Sequence, residues 1–483
     1  MGMKGIFVSI LARLKKLGVD YADIRHERIM TESMQALDGE VEGFSTDTSA
    51  GVGVRILYRG AWGFAATNIV TEESAMKAAK EALAMARAFS AVNTGKARLS
   101  VSEPFVESYS TPYEIDPFSV ASDKKISLIA GVTGAALREK GISSAEAFLE
   151  FSRAEKEFCN TDGAFISQTI LTSGGGYHVI AGDNDDAQVR SYPDGHHGLF
   201  ATRGYELIEE LDFMGSLPRV TAEARSLLYA RECPSGVRDI IIDGPQLALQ
   251  IHESCGHPAE LDRALGAELG FAGGSFLTPD KLGTFRYGSP IVNIYADPNE
   301  PGGAGSYRFD DEGVRAQRVD LVRDGVFTGY LTSRESALAV GGVSNGSMRG
   351  EGWGGLPLIR MSNVCITPGQ GTLDDLVSDT KDGILMSVNR SWSIDDRRLN
   401  FQFGAEIAWE IKNGKVKEAF RNPVYYGSTP GFWASCDAVC GRSEWRLWGL
   451  NSCAKGEPMQ VAHVGHGACP ARFRSVKVGV GKP

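Results

Sequence analysis

The stretch His252-Glu253-Ser254-Cys255-Gly256-His257 is the most informative part of this sequence, because it places two imidazoles and a carboxylate within six residues. Imidazoles are common zinc ligands, and a carboxylate beside one of them can activate a water molecule at the metal. In the familiar zinc-binding helix, the second histidine follows the first by four residues and shares its face. Here the interval is five residues, about 140° around a regular α-helix rather than about 40°. Unless the motif is accidental, the pattern therefore predicts a helix that widens locally, as a π-bulge does, or breaks around Gly256 to Pro258, so that both rings meet one metal.

The flanking residues favour such a distortion. Residues 241–243 have the character of a buried strand end, and residues 246–254 have the apolar spacing of a short helix. Gly256 is expected to relax the backbone, and Pro258, which lacks an N–H, is expected to distort the helix at His257. The alternative is a pair of buried histidines that are satisfied by hydrogen bonds alone.

A catalytic zinc usually takes three protein ligands and leaves one position to water, so a third ligand must be found. Cys255 lies inside the motif, but it should point away from the face that the two rings share. Farther along, Cys453 stands in a stretch marked by glycine and proline, and His463, His466 and Cys469 follow it. These four side chains could also form a separate structural site. Composition alone does not decide among the candidates.

Several short motifs follow one another in order through the second half of the chain. They are His252 to Pro258 with Glu260, Asp262 and Arg263, then Gly305-Ser306-Tyr307, Phe309-Asp310-Asp311-Glu312-Gly313, Ser344-Asn345-Gly346, Met361-Ser362-Asn363, Asp395-Asp396-Arg397-Arg398, Arg421-Asn422-Pro423-Val424 and Cys453-Ala454-Lys455-Gly456. Together they resemble the motifs of the TldD/PmbA (TldD/TldE) peptidases, and the first half is compatible in length and pattern. The chain has both motif histidines, the glutamate and a late cysteine, so it resembles the catalytic TldD type rather than the PmbA/TldE type.

This resemblance implies a zinc-dependent peptidase with one Zn²⁺ per chain. The metal ligands would be His252, His257 and Cys453, and Glu253 would be the general base for the metal-activated water. The remaining candidates should bind no metal: Cys255, His463, His466 and Cys469. We expect the three that follow Cys453 in sequence, His463, His466 and Cys469, to be loop or partner-facing residues.

The resemblance also implies a dimer, either a homodimer or a heterodimer with a PmbA/TldE-like subunit, that encloses the site in a cavity. Such a cavity would admit short or unfolded peptides in an extended form. Two other functions stay open at this point. One is a metal-dependent hydrolase of substrates other than peptides, and the other is a non-catalytic zinc-containing scaffold or partner-binding protein.

Composition and charge set further limits. The net charge of −10 and the pI near 5.5 argue against a nucleic-acid partner, which favours basic surfaces. Eight cysteines without regular spacing favour a reducing compartment, and we expect a cytoplasmic protein, although Cys436 and Cys440 are close enough in sequence for a disulfide. The N-terminal residues 7–17 have the spacing of an amphipathic helix rather than a signal peptide. No run approaches 18 apolar residues, so no membrane span is expected.

The pattern along the chain predicts an α+β protein with two domains, residues 1–232 and 233–483. The first is expected to be an α/β domain with antiparallel strands and two long helices, over residues 71–89 and 123–139. A further helix is expected over residues 220–229, and a loop at Gly174-Gly175-Gly176. The second domain should be mainly antiparallel β, should carry the metal-site helix, and should have tight hairpins at Asp324-Gly325 and Asn413-Gly414. For residues 395–398, a structural ion network or a partner surface is favoured over a catalytic role.

Overall fold

The structure of the protein is a computed structural model that describes residues 3–92, 95–182, 186–195, 198–271 and 273–481. It confirms the α+β class with mostly antiparallel strands. Its α-helices are α1 Met3–Lys16, α2 Glu72–Val92, α3 Ser122–Leu137, α4 Glu206–Leu211, α5 Phe213–Tyr229, α6 Gly244–Ile251, α7 Leu261–Ala264, α8 Leu373–Ser378 and α9 Thr429–Ala434.

The strands fall into two large sheets and several small ones. In chain order they are β1 Tyr21–Leu37, β2 Glu40–Tyr58, β3 Ala61–Thr67, β4 Val106–Ser110, β5 Ile142–Asn160, β6 Phe165–Gly182, β7 Ala187–Tyr192, β8 Leu199–Ala201, β9 Arg231–Glu232, β10 Gly236–Ile242, β11 Ile294–Ala296, β12 Val319–Arg323, β13 Val326–Phe327, β14 Met348–Arg349, β15 Leu358–Ile359, β16 Val364–Ile366, β17 Asp382–Ile394, β18 Asn400–Lys412, β19 Lys415–Arg421, β20 Pro423–Ser428, β21 Cys436–Val439, β22 Arg446–Lys455, β23 Gln460–Ala468 and β24 Ala471–Val480.

The first large sheet has the order β3-β2-β1-β5-β6-β4, with β7 and β8 also paired to β6. Its long strands are antiparallel, and only β4 runs parallel to its neighbour β6. Helices α1 and α2 bury their apolar faces against β1, β2 and β3, whereas α3 and α5 cover the half of the sheet around β5 and β6. The two long helices predicted for this region, α2 and α3, are confirmed. Helix α5 begins at Phe213, earlier than predicted, and contains Pro218 in its interior.

The predicted loop at Gly174-Gly175-Gly176 is wrong, because all three glycines lie within strand β6. Their lack of a side chain serves close packing instead of a turn. A Cβ on Gly174 would lie 2.2 Å from the Phe200 ring, and one on Gly176 would lie 2.8 Å from the Cα of Gly198. The glycines therefore let the segment around β8 lie directly on the sheet.

The second large sheet has the order β17-β10-β24-β20-β18-β19-β9. Strand β17 also pairs with β18, so five of these strands close into a ring. The hairpin predicted at Asn413-Gly414 joins β18 to β19, and the one at Asp324-Gly325 joins β12 to β13. All four turn residues have positive φ, as a tight hairpin of this type requires. The largest apolar core of the protein lies between this sheet and α6.

Ion pairs that are buried or partly buried join the first sheet to the segment that follows it in the C-terminal half. Arg55 of β2 lies 3.3 Å from Glu312, and Lys156 of β5 lies 3.3 Å from Asp311. Strand β9 pairs with β19, so residues 231–232 join the second sheet just before the expected boundary. The division into domains at residues 232 and 233 remains our proposal.

Two further observations concern the chain as a whole. Among the described residues, no helix combines the length and the apolar character needed to cross a bilayer. All eight cysteines are free and buried, and the pair Cys436 and Cys440 forms no disulfide.

Candidate metal centre

The motif helix widens as the five-residue interval predicts, but the widened turn begins at His252, before the segment Gly256 to Pro258 where the distortion was expected. Asp243 caps α6 by accepting a hydrogen bond from the Gly244 N–H, and the α-helix then runs to Ile251. Residues His252–Gly256 form a π-helical turn, in which the His257 N–H donates to the His252 carbonyl five residues earlier. A 3-10 turn over His257–Ala259 follows. The predicted π-bulge is therefore confirmed.

Gly256 has a different role from the one expected. Its φ of −58° and ψ of −63° are helical, so the backbone needs no glycine for conformational reasons. A Cβ at this position would lie 2.0 Å from the sulfur of Met361, which is fully buried. Glycine is required here because Met361 occupies the space that any side chain would need.

The widened turn brings the two motif rings together with Cys453. The centroids of the His252 and His257 rings are 4.7 Å apart with the ring planes at 89°. The Cys453 sulfur lies 3.8 Å from Nε2 of His257, and one donor atom from each of the three residues lies within 4.8 Å of the others. The three side chains are only 3–4% exposed. The structure thus brings together the three residues that the resemblance singled out, although 196 residues separate His257 and Cys453 along the chain.

A bulge in strand β22 places Cys453. Leu450 pairs with Val464 but Cys453 pairs with Ala462, so β22 contains one residue more than β23 between these points. Such a bulge changes the face to which the following side chain points. The buried Arg360 guanidinium donates to the Cys453 carbonyl and holds the backbone there.

Glu260 orients the ring of His257. Its carboxylate accepts a hydrogen bond from Nδ1 of His257 at 3.0 Å, which leaves Nε2 directed towards Cys453. Arg263 and Lys455 lie 3.4 and 3.3 Å from the same carboxylate oxygen, and Lys455 also binds Asp262 at 2.7 Å. This cluster is almost completely buried, and it ties the end of β22 to the motif segment.

His466 orients the ring of His252. Nε2 of His466 lies 2.8 Å from Nδ1 of His252, and Nδ1 of His466 lies 3.2 Å from the Val364 carbonyl. His466 is fully buried within β23, so its assignment as a loop or partner-facing residue is wrong. His463 is half-buried in the same strand and so is not a loop residue, whereas Cys469 lies in the loop between β23 and β24, as predicted, with its thiol 3.2 Å from the Cys440 carbonyl.

Glu253 lies beside the three candidate ligands and pairs with Arg398. The Arg398 guanidinium donates to the Glu253 carboxylate, and the two side chains are 15% and 8% exposed. Within residues 395–398, Asp395 and Arg398 therefore have different roles. Asp395 holds its own turn by accepting from the Leu399 and Asn400 N–H groups, as a structural residue would. Arg398 contacts Glu253 at the candidate centre. This contact was not predicted, because a structural ion network or a partner surface was expected for this stretch.

A cavity of about 290 Å³ opens onto the candidate ligands. Trp392 and Trp448 form apolar walls, and Arg398 and Asp194 supply charge. Asp194 accepts a hydrogen bond from the Gly195 N–H at 2.7 Å, and burial raises the pKa of its carboxyl to about 7. The remaining lining residues include Gly195, Gly198, Ala248, Leu249, Asn389, Gly449, Leu450, Ser452 and Ala454.

The protonation of the three candidate ligands reflects their mutual contact. Burial alone would raise the pKa of Cys453, but the imidazoles of His252 and His257 lower it well below its ordinary value. Burial lowers the pKa of His257, which keeps this imidazole neutral. Burial alone would lower the pKa of His252, but the Cys453 thiolate raises it. Cys255, in contrast, lies in the apolar core, where burial raises the pKa of its thiol to about 12.

Residues 235–480 match the PmbA/TldA metallopeptidase C-terminal domain, and residues 22–86 match PmbA/TldA metallopeptidase domain 1. The chain belongs to the PmbA/TldD family. Its C-terminal match contains the motif histidines, Glu253 and Cys453, so the candidate centre lies within the region that carries the family likeness.

Individual PmbA/TldD relatives match almost the whole chain. A metalloprotease of Methanothermobacter thermautotrophicus is 31% identical over 463 residues, which cover 95% of this chain and 96% of that protein. A zinc metalloprotease TldD homolog of Saccharolobus solfataricus is 22% identical over 485 residues, covering 97% and 98%. The solved structure of TldE from Thermococcus kodakarensis has a TM-score of 0.71 at 17% identity, covering 98% of this chain and 100% of that chain, which shows a shared fold.

Three residues of this PmbA/TldD site were not predicted to belong to it. Glu260 was visible as part of the motif, and its position three residues after His257 is the spacing of neighbours on a helix. His466 was noticed only as a candidate ligand. Asp194 carries no local signal, since it is a single acidic residue in a loop far from the motif.

Proposed function

We propose that this PmbA/TldD chain is a zinc-dependent peptidase that hydrolyses short or unfolded peptides. His252, His257 and Cys453 would hold one zinc ion, and Glu253 would be the general base. The observation that carries the proposal is the convergence of these three donor atoms within 4.8 Å at the wall of a cavity, with a carboxylate beside them.

The donor set fits zinc. Two imidazole nitrogens and a thiolate sulfur are the ligand types that zinc prefers, and the same His₂Cys combination of borderline and soft donors does not suit magnesium or calcium. Both rings have Nδ1 engaged by a protein partner, so Nε2 is the atom left for a metal in each. Three protein donors also leave a coordination position open, as catalytic zinc sites do.

A zinc ion held by these residues would supply Lewis acidity at the peptide carbonyl and would acidify a water molecule near neutral pH. The chain's own groups would perform the proton transfers. Glu253 adjoins His252 at the cavity wall, so its carboxylate could accept a proton from the attacking water and deliver it to the leaving amine. Arg398 would hold this carboxylate in place and keep it directed at the cavity.

The small cavity suits a peptide in extended form better than a folded protein. Its apolar tryptophan walls favour contacts that depend little on the peptide sequence. We further propose that the active unit is a dimer, either with a second copy or with a TldE-like subunit, whose fold this chain shares. Free cysteines suit a cytoplasmic location.

The test is peptide cleavage by the purified chain, alone and with a TldE-like partner, before and after removal of metal by a chelator. Zinc should restore the activity that the chelator abolishes. Glu253→Gln should lower kcat/KM by about 10²–10⁴-fold while the zinc content stays at one per chain. The matched control is Glu418→Gln, whose side chain is 75% exposed and remote from the cavity, and which should cleave normally. Cleavage that survives metal removal would contradict the proposal.

Measurements on the same purified chain distinguish the proposed peptidase from the two alternative functions, a structural scaffold and a hydrolase of other substrates. A structural scaffold would hold its zinc with four protein ligands, so X-ray absorption should then show no water-derived oxygen at the metal. A hydrolase of other substrates would cleave esters or simple amides in preference to peptides. A three-ligand centre with an oxygen ligand and a preference for peptides is the result that we expect.

A further inference from the structure

The ring of His252 is held by a second imidazole that belongs neither to the motif nor to the group of His252, His257 and Cys453. His466 comes from β23, and its Nε2 lies 2.8 Å from Nδ1 of His252. The two ring planes are inclined at 78°, with the centroids 4.9 Å apart. His466 has no exposed surface.

The hydrogen bonds fix the tautomers of both rings. The Val364 carbonyl can only accept, so Nδ1 of His466, 3.2 Å away, carries its proton. Nε2 of the neutral His466 ring is then an acceptor, and Nδ1 of His252 must donate to it. Nε2 of His252 remains as the atom that faces Cys453 and His257. The carbonyl of Val364 thus determines, through one ring, which nitrogen of the next ring is available.

We propose that His466 is a positioning residue that fixes the tautomer and the ring orientation of the metal ligand His252, and that it is not itself a ligand. The proposal rests on the zinc site proposed above. His466 belongs to no group of metal-ligating side chains among the described residues, whereas His252, His257 and Cys453 form one. Partners of this kind commonly set the affinity of a metal site.

A neutral partner suits this position for a physical reason. The other ligand, His257, uses the carboxylate of Glu260, whose charge is balanced by Arg263 and Lys455. His466 lies on β23, which packs against β16 and α6, and its Nδ1 contacts the carbonyl of Val364, a residue of the main core. A carboxylate there would carry an unbalanced buried charge, whereas an imidazole supplies the acceptor and satisfies its own N–H at the backbone.

The experiment compares three variants by zinc affinity, measured in competition with a chromophoric chelator. His466→Leu removes the acceptor and should weaken zinc binding by about 10–100-fold. His466→Gln keeps one acceptor and one donor on a side chain of similar reach, and should recover most of the affinity. His463→Gln is the matched control, because His463 lies in the same strand but lines a different cavity, and it should bind zinc as the unmodified chain does.

Two spectroscopic measurements make the outcome specific to positioning. In the cobalt-substituted protein, His466→Leu should alter the visible bands while X-ray absorption shows the same number of nitrogen and sulfur ligands. In the unmodified metal-free chain, nitrogen NMR of labelled histidines should show the proton of His466 on Nδ1, a result that needs no variant to fold. A proton on Nε2, unchanged zinc affinity in His466→Leu, or the loss of one nitrogen ligand in that variant would each overturn the proposal. These readouts are independent of peptide cleavage, so a failure of the proposed peptidase activity would be seen separately.

Discussion

Replacing Glu260 by glutamine should destabilise the protein and weaken the proposed metal site together. The cluster around Glu260 contains two carboxylates, Glu260 and Asp262, and two cations, Arg263 and Lys455, so its net charge is zero. Glu260→Gln leaves one carboxylate and two cations, a net charge of +1. The side chains of Glu260, Arg263 and Lys455 have no exposed surface, so water cannot screen the added charge.

The magnitude follows from this burial. Removing one partner of a buried ion pair costs about 3–5 kcal/mol in the free energy of unfolding. We expect the lower end, about 3 kcal/mol, because the glutamine oxygen can still accept the hydrogen bond from Nδ1 of His257. The zinc affinity should fall by about 10–100-fold, since an amide holds and polarises the imidazole less strongly than a carboxylate does.

The assay is urea denaturation of the metal-free chain, followed by chelator competition for zinc. Glu418→Gln provides the comparison, because it breaks an ion pair with Arg231 at 3.1 Å whose side chains are 66% and 75% exposed. Surface pairs of this kind contribute little. If Glu260→Gln unfolds at the same urea concentration as Glu418→Gln, the buried cluster does not stabilise the fold and the reasoning is refuted.

Three other changes test separate parts of the structure. Asp194→Asn should stabilise the protein by about 2 kcal/mol more at pH 8 than at pH 5. The pKa of this carboxyl in the folded protein, about 7, lies above its unfolded value, so the free-energy cost of ionising it in the folded state grows as the pH rises towards 7. Equal urea midpoints for the variant and the unmodified chain at both pH values would contradict this prediction. Gly51→Ala places a Cβ 2.2 Å from the Trp353 ring and should cost about 1–3 kcal/mol in denaturation experiments, and Trp353→Ala in the same chain should relieve part of that loss. Cys453→Ala should abolish stoichiometric zinc binding, whereas Cys255→Ala should retain one zinc per chain, as metal analysis after dialysis would show.

The sequence predicted the local part of the site well. The five-residue interval between His252 and His257 predicts a widened helix because a regular one cannot bring both rings to one side, and the π turn is what the structure contains. The helices α2 and α3 and the hairpin turns at residues 324–325 and 413–414 follow from equally local signals. In each of these cases the information lies within about 20 residues of chain.

The parts that could not be predicted depend on contacts between distant strands. The position of His466 beside His252 depends on how β23 lies against α6, and no spacing along the chain encodes that arrangement. Arg398 lies in the turn between β17 and β18. Its contact with Glu253 depends on how this hairpin is placed and on the left-handed backbone of Arg398 itself, with φ of 63°. The glycines of β6 were misread for the same reason, since the chain that packs on them comes from elsewhere in the sequence.

The hairpin of β22 and β23 completes the candidate centre, because it supplies both Cys453 and the acceptor of His252. His257 differs, since its partner Glu260 is only three residues away and belongs to the same short segment. A displacement of the hairpin would therefore disturb His252 and Cys453 together, whereas His257 would keep its neighbour Glu260 and lose only the contact of Lys455 with that carboxylate. One half of the centre, His257 with Glu260, is encoded locally, whereas the other half, His252 with its acceptor and Cys453, forms only when the C-terminal strands are paired. Metal affinity should therefore depend more directly on the packing of this hairpin than on the integrity of the motif helix.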